Sequence, residues 1–172
     1  NTLGILGLGK LGLQVARVGL AFGMKVQAWS ANLTPERCAE CGVVFASREE
    51  LFATSDIVTV HLLLSDRTRG LIGATEFQMM KPTAYLVNTS RGPIVQESAL
   101  ITALQAGAIA GAGLDVFDTE PLPQNHALRG LDNAVLTGHT GYVMRENYIT
   151  GYRGAVEAIN AWLNGEPVRL LN

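Results

Sequence analysis

The sequence predicts an α/β fold, a doubly wound parallel sheet with helices on both faces, and three observations carry that prediction. First, Leu3 to Gly12 reads LGILGLGKLG: a short apolar run meets the glycine pattern Gly7-Leu8-Gly9-Lys10-Leu11-Gly12, and a helical pattern begins at once. Second, strand-like and helix-like segments alternate along the chain, the order that builds βαβ units. Third, Asp56 to Leu64 (DIVTVHLLL) is a nearly continuous run of β-branched and leucine residues, as expected of a strand covered on both faces.

Each glycine of the opening unit has a physical task. Gly7 permits the tight turn, Gly9 lets backbone approach a pyrophosphate, and Gly12 lets the helix lie close to the strand. The helix N-terminus then offers unpaired N–H groups and the positive end of its dipole to an anion. Gly7, Gly9, Lys10, Leu11 and Gly12 are therefore the first candidate cofactor-binding residues. Along the helix, Leu11, Val15, Val18 and Phe22 recur at helical spacing and are expected to bury one face, with Gly23 as the stop.

Lys25 to Ser30 (KVQAWS) alternates as a strand does, and Thr34 with Pro35 forms the start signal of a short helix to Glu40. Val43 to Phe45 suggests a short strand. Ser47 stands as the cap of a helix over Arg48 to Ala53, with Glu50 in the capping-box position. After the apolar run of Asp56 to Leu64 come a short helix, Thr75 to Met80, and a strand, Ala84 to Asn88. A helix follows over Glu97 to Ala106, closed at Gly107, and then a glycine-bearing strand over Ile109 to Val116, where small residues permit close packing. Asp118 to Asn133 lacks periodicity and reads as a surface loop, Ala134 to Thr137 as a last strand. Ile149, Tyr152, Val156, Ile159 and Leu163 mark a long amphipathic helix ending near Gly165.

A chain of 172 residues is expected to form one domain with a substantial core. With 48% hydrophobic residues, 16% charged residues and a net charge of −2, it has the composition of an ordinary globular protein rather than a nucleic-acid binder or a disordered tail. No apolar stretch approaches the roughly 18 to 20 residues that span a bilayer, and no signal-peptide pattern opens the chain. The expected location is the cytoplasm. Cys38 and Cys41 form a C-x-x-C without further ligands; they read as two small apolar residues of a short helix, and no metal site is expected.

Ligands of doubly wound sheets bind at the carboxyl ends of strands, so the polar residues just after each strand are the ones to weigh. These are Ser30, His61, Asn88 to Arg91 with Thr89 among them, Asp115, Glu120 and His139. An acidic side chain at position 30 would bind an adenosine ribose 2′-OH and repel a 2′-phosphate. Ser30 accommodates either, and Ala31 to Leu33 offers no arginine for a phosphate; Arg37, the nearest cation, reads as part of a solvated helix face. NAD and NADP both remain open. Arg91, in a turn of small residues, has the chemistry to grip a planar carboxylate through two parallel hydrogen bonds, or is a surface arginine in a tight turn. His139 can titrate near neutral pH and exchange a proton with a substrate oxygen, and Glu120 is a carboxylate that could steady its ring. His61 reads as a hydrogen-bonded core or cleft residue.

These motifs together resemble the nucleotide-binding domain of the D-isomer-specific 2-hydroxyacid dehydrogenases, the group that includes D-lactate, D-glycerate, phosphoglycerate and formate dehydrogenases. The matching stretches run in order: TLGILGLGKLG from Thr2, AFGMKVQAW from Ala21, DIVTVHL from Asp56 and TRGLIG from Thr68. They continue with MKPTAYLVNTSRGPIV from Met80, GLDVFDTEPLP from Gly113 and GHTGY from Gly138. The resemblance implies a Rossmann-type, three-layer αβα domain over residues 1–172 and a hydride transfer between NAD(P)H and a small 2-keto or D-2-hydroxy acid. It assigns catalysis to Arg91, which binds the substrate carboxylate, to His139 as acid and base, and to Glu120 as its partner. Asp115 would contact the nicotinamide carboxamide, and Ser30, His61, Thr89 and Gly141 complete the candidate cofactor contacts.

Two departures stand out. Gly138 and Asp132 occupy positions where this family often has proline; glycine is expected to loosen the placement of His139, and Asp132 to be harmless in a loop. The family also resembles chains of two domains, whose substrate domain flanks the nucleotide domain. Both flanking halves are expected to be missing, leaving a fragment, inactive alone, of a roughly twofold longer enzyme whose second domain closes the crevice. Homodimerisation is a family expectation. The alternative function is a dinucleotide-binding regulatory or corepressor-like module without turnover; a methyltransferase reading is disfavoured by the later motifs.

Overall fold

Parallel strands need long crossovers, and the chain supplies an α-helix for each of them but the last, which is a loop. The computed structural model describes residues 1–170 and falls into two units, Asn1–Gly138 and His139–Asn172. The first contains β1 (Thr2–Leu6), α1 (Lys10–Ala21), β2 (Lys25–Trp29), α2 (Pro35–Glu40), β3 (Val44–Phe45), α3 (Arg48–Thr54) and β4 (Ile57–Val60). It continues through α4 (Ala74–Met79), β5 (Tyr85–Asn88), α5 (Glu97–Gln105), β6 (Gly111–Leu114) and β7 (Ala134–Leu136). The strands form one seven-stranded parallel sheet in the order β3-β2-β1-β4-β5-β6-β7.

The chain winds outward from β1 to β3 and returns to set β4 on the other side of β1, so a crevice opens where the order reverses. Register decides what lies there. Leu6 is paired with Trp29 of β2 and with Val60 of β4, so the next residues along, Gly7, Ser30 and His61, emerge together at one edge.

Side chains alternate across each strand, and the buried residues divide accordingly. Leu3 and Ile5 join Leu8, Ala16, Val26, Ala28, Cys38 and Val43 in one cluster. Leu6 points the other way, into a larger cluster with Phe52, Val58, Val60, Phe77, Leu86 and Leu114. Helix starts follow the sequence signals: Thr34 Oγ1 accepts from the Arg37 amide at 3.3 Å. Ser47 and Glu50 form a reciprocal capping box, at 3.1 Å and 2.9 Å.

The buried face of α1 is not the one the apolar spacing predicts. Leu11, Val18 and Phe22 are exposed, whereas Gly12, Ala16 and Gly19 are buried. The reason is separation: a Cβ at Gly12 would lie 2.0 Å from the Gly7 carbonyl oxygen, and one at Gly19 2.7 Å from Leu3 Cδ2. The helix sits too close to the sheet for large side chains, so the small-residue stripe faces inward. Two smaller differences follow from the sheet. The β4 strand is only four residues long, because the chain leaves the sheet at His61 to line the crevice. The stretch Asp118 to Asn133 is a loop with an anchored interior: Leu122 and Leu128 are buried, and Arg129 ties it by hydrogen bonds to the Pro123 and Leu122 carbonyls at 2.9 Å and 2.8 Å.

In the second unit, α6 (Arg145–Leu163) runs for 19 residues and gives way to Gly165 with φ +78°. Tyr148 and Tyr152 stack one turn apart at 6.2 Å, and Arg169 pairs with Glu157 at 2.6 Å. Among the described residues no helix is long and apolar enough to cross a membrane.

The glycine loop yields a paired test of stability. Gly12→Ala drives a methyl group into backbone and is expected to cost about 1–3 kcal/mol. At Gly9 a Cβ meets nothing within 4 Å, so Gly9→Ala is expected to lose no more than about 1 kcal/mol, through the weaker N-cap. Urea denaturation midpoints of the two variants check both.

Candidate functional site

At the reversal between β1 and β4 lies a groove of about 440 Å³, lined by Gly7, Leu8, Gly9, Trp29, Ser30, Asn32, His61, Arg67 and Thr68 among others. The backbone builds it. The Gly7 amide bonds the Trp29 carbonyl at 2.9 Å, and the His61 amide bonds the Leu6 carbonyl at 2.8 Å. Gly7 has φ +97°, and a Cβ there would meet the His61 carbonyl oxygen at 2.7 Å, so both conformation and space demand glycine.

Gly9 is the N-cap of α1 and has no side-chain cap, and the first helical bond runs from Leu13 N to Gly9 O at 2.9 Å. The amides of the first turn are therefore available to an anion. The space beside Gly9 that a Cβ would occupy is open. An uncapped helix start of twelve residues with a clear approach past Gly9 fits a dinucleotide pyrophosphate. Of the other loop candidates, Lys10 and Leu11 are exposed on the first turn, and Gly12 is buried beneath it.

Ser30 and His61 stand in this groove with the glycines, as the register requires. The Thr59 hydroxyl is 3.0 Å from His61 Nε2. Burial pulls the His61 pKa below the usual histidine range, because the cationic ring would lose hydration there.

Further along the sheet, Asn88 at the end of β5 is almost fully buried. Its Nδ2 donates to the Arg91 carbonyl at 2.9 Å, and its Oδ1 accepts from the Ser90 amide at 3.0 Å. Ser90 Oγ donates to the Leu62 carbonyl at 2.7 Å. These bonds hold the turn that exposes Thr89 and Arg91. Gly92 then lies flat on the next strand's exit: a Cβ there would be 2.1 Å from the Phe117 carbonyl carbon. That same exit carries Glu120, whose Oε1 accepts from the Phe117 amide at 2.9 Å. The Arg91 and Glu120 loops are thus packed backbone to backbone. Asp115, buried after β6, donates its amide to the Asn88 carbonyl at 3.0 Å and accepts the Thr137 hydroxyl.

His139 is the first residue of the second unit. It has φ +56°, a left-handed conformation that is uncommon for a residue with a side chain and costs about 1–3 kcal/mol. Its ring meets Tyr142 edge to face at 6.0 Å. Gly141 lies exposed two residues on.

The sequence pattern does not single out Arg67. Arg37, the nearest cation along the chain, lies on a solvated helix face as expected, paired with Glu40 at 3.0 Å, while Arg67, in the loop after β4, lines the groove that contains Ser30. The usable signal was topological: β2 and β4 flank β1, so the loop after β4 lies near the end of β2. Cys38 is buried and Cys41 half-buried, both as free thiols. Among the described residues no group of three or more histidines, cysteines or carboxylates could hold a metal.

The lowered pKa of His61 gives a pH test. The unfolded chain takes up a proton at this site below about pH 6.5, while the folded chain resists it, so stability falls as pH drops through that value. Urea midpoints at pH 7.5 and 5.5 are expected to differ less in His61→Gln than in the unsubstituted protein.

Comparison with known proteins agrees with this geometry. Residues 1–141 match the family described as D-isomer specific 2-hydroxyacid dehydrogenase, NAD binding domain. A glyoxylate reductase of Aeropyrum pernix is 45% identical over 173 aligned residues, which cover 100% of this chain and 52% of that one. The chain thus spans about half the length of this relative. An oxidoreductase from Ralstonia solanacearum superposes with TM-score 0.95 at 43% identity, covering 99% of this chain and 50% of that one. D-lactate dehydrogenase with NAD+ from Lactobacillus jensenii gives TM-score 0.85 at 29% identity, with 99% and 55% covered. An acyclic imino acid reductase in complex with NADPH and D-Arg gives 0.81 at 30% identity, with 99% and 53% covered. By sequence and by fold, this chain belongs to the D-isomer specific 2-hydroxyacid dehydrogenase family, of which it carries the NAD binding domain.

Proposed function

We propose that the whole protein is an NAD(P)-dependent oxidoreductase that interconverts a small 2-keto acid and the D-2-hydroxy acid, and that residues 1–172 are its dinucleotide-binding domain. The observation that carries this reading is the groove at the β1/β4 reversal, where an uncapped helix start and the open space at Gly9 provide for a pyrophosphate. The glyoxylate reductase of Aeropyrum pernix supports a 2-keto acid as substrate, and the NAD+ and NADPH complexes support either dinucleotide.

In this reading the bound nicotinamide supplies or accepts the hydride. The chain supplies position and charge. Arg91, on its Asn88-braced turn, grips the substrate carboxylate through paired hydrogen bonds. His139 gives a proton to the carbonyl oxygen during reduction and takes it back during oxidation. Glu120 stabilises the imidazolium. Gly7, Gly9, Lys10, Leu11 and Gly12 hold the pyrophosphate, Ser30 the ribose, and His61, Thr89, Asp115 and Gly141 the remainder of the cofactor.

A substrate domain formed by further polypeptide, a homodimeric assembly and a cytoplasmic location belong to the same proposal and rest on the family resemblance. A corepressor-like module without turnover has no support among the relatives.

The test is His139→Gln in the full-length protein, assayed with NADH and NADPH against a panel of 2-keto acids. Turnover is expected to fall by about 10²–10⁴-fold, the usual contribution of a positioned acid–base group, with dinucleotide affinity nearly intact. Undiminished turnover would overturn the assignment of His139.

A further inference from the structure

We infer that the ribose end of the groove is built for a dinucleotide bearing a 2′-phosphate, with Arg67 and Ser30 as the phosphate-binding pair. The inference rests on the proposed dinucleotide reading of the groove and adds to it a choice between the two cofactor classes.

Charge is the first observation. A site selective for an unphosphorylated ribose sets a carboxylate at the end of the second strand, which bonds the 2′-hydroxyl and repels a phosphate. Here that position is Ser30, whose hydroxyl can donate to a phosphate oxygen. Among the described residues that line the groove there is no aspartate or glutamate, and Arg67 is the one arginine or lysine.

Availability is the second. The Arg67 side chain is exposed, and no hydrogen bond, ion pair or ring contact among the described residues engages its guanidinium. Arg37 and Arg48 are committed elsewhere, Arg37 to Glu40 at 3.0 Å, and Arg48 to Glu76 and the Leu71 carbonyl, each at 2.6 Å, and Arg69 is not part of the groove lining. Asp66, beside Arg67 in sequence, is not part of the groove lining.

The third observation is the fixed base from which Arg67 reaches. Thr68 Oγ1 donates to the Leu63 carbonyl at 2.6 Å and accepts from the Ser65 amide at 2.8 Å. The Arg69 amide closes the turn on the Ser65 carbonyl at 2.9 Å, and Gly70 bonds the Pro93 carbonyl at 2.8 Å. The backbone on both sides of Arg67 is therefore held before any ligand arrives, and only side-chain freedom is lost on binding. A guanidinium so placed can engage two phosphate oxygens at once.

Titration calorimetry of the intact protein tests this without turnover, using NADPH, NADH, 2′,5′-ADP and 5′-AMP. The unsubstituted protein is expected to prefer NADPH to NADH, and 2′,5′-ADP to 5′-AMP. Arg67→Gln should lower both preference ratios by about 10–100-fold, the loss of a charge-assisted hydrogen-bonded pair, and Ser30→Asp should invert them. If both dinucleotides bind but NADPH is not preferred, or if Arg67→Gln weakens all four ligands in proportion, the phosphate site is overturned while the groove remains a dinucleotide site. If neither dinucleotide binds, both readings fall.

Discussion

The contact on which the rest depends is the approach of α1 to the end of β1. The Gly12 Cα lies so near the Gly7 carbonyl that a single methyl group would be placed 2.0 Å from the oxygen. This closeness sets the first turn of α1 beside the strand end and directs its free amides to the groove. It also selects which side of α1 is buried, because only the Gly12, Ala16 and Gly19 stripe is thin enough to face the sheet. Anion recognition and helix packing are thus one geometric constraint, met by leaving out side chains.

A second constraint acts at the neighbouring strands. Asn88 is a buried polar residue whose two side-chain atoms bond the Ser90 amide and the Arg91 carbonyl of the turn that follows it, so both are paired inside. Removing one partner from such a buried arrangement costs about 1–3 kcal/mol. Gly92 carries the braced turn onto the Phe117–Asp118 backbone, where Glu120 folds back to the Phe117 amide. The loops that carry Arg91 and Glu120 are therefore positioned by buried groups rather than by their own exposed ends, a common arrangement for polar chemistry on a rigid scaffold.

Much of this was legible in the sequence. Local signals depend on nearest neighbours: the capping box at Ser47 and Glu50, the Thr34–Pro35 start and the β-branched run around Ile57 to Val60 all led to the elements observed. The glycine loop and the polar residues after each strand marked Ser30 and His61 as groove candidates, because a parallel sheet puts all its strand ends at one edge.

What the sequence by itself determined, then, was the alternation of elements, their caps and the residue types at strand ends, each governed by backbone geometry within a few positions. The tertiary structure decided which face of α1 is buried, why Asp118 to Asn133 is anchored through Leu122 and Leu128, and that Arg67 shares a groove with Ser30. Periodicity identifies a helix with an apolar stripe, but it does not say how near the sheet will come, and at close range small residues outcompete large apolar ones. Arg67 lies far from Ser30 along the chain and meets the groove only because β2 and β4 both flank β1, a consequence of strand order that no local pattern encodes.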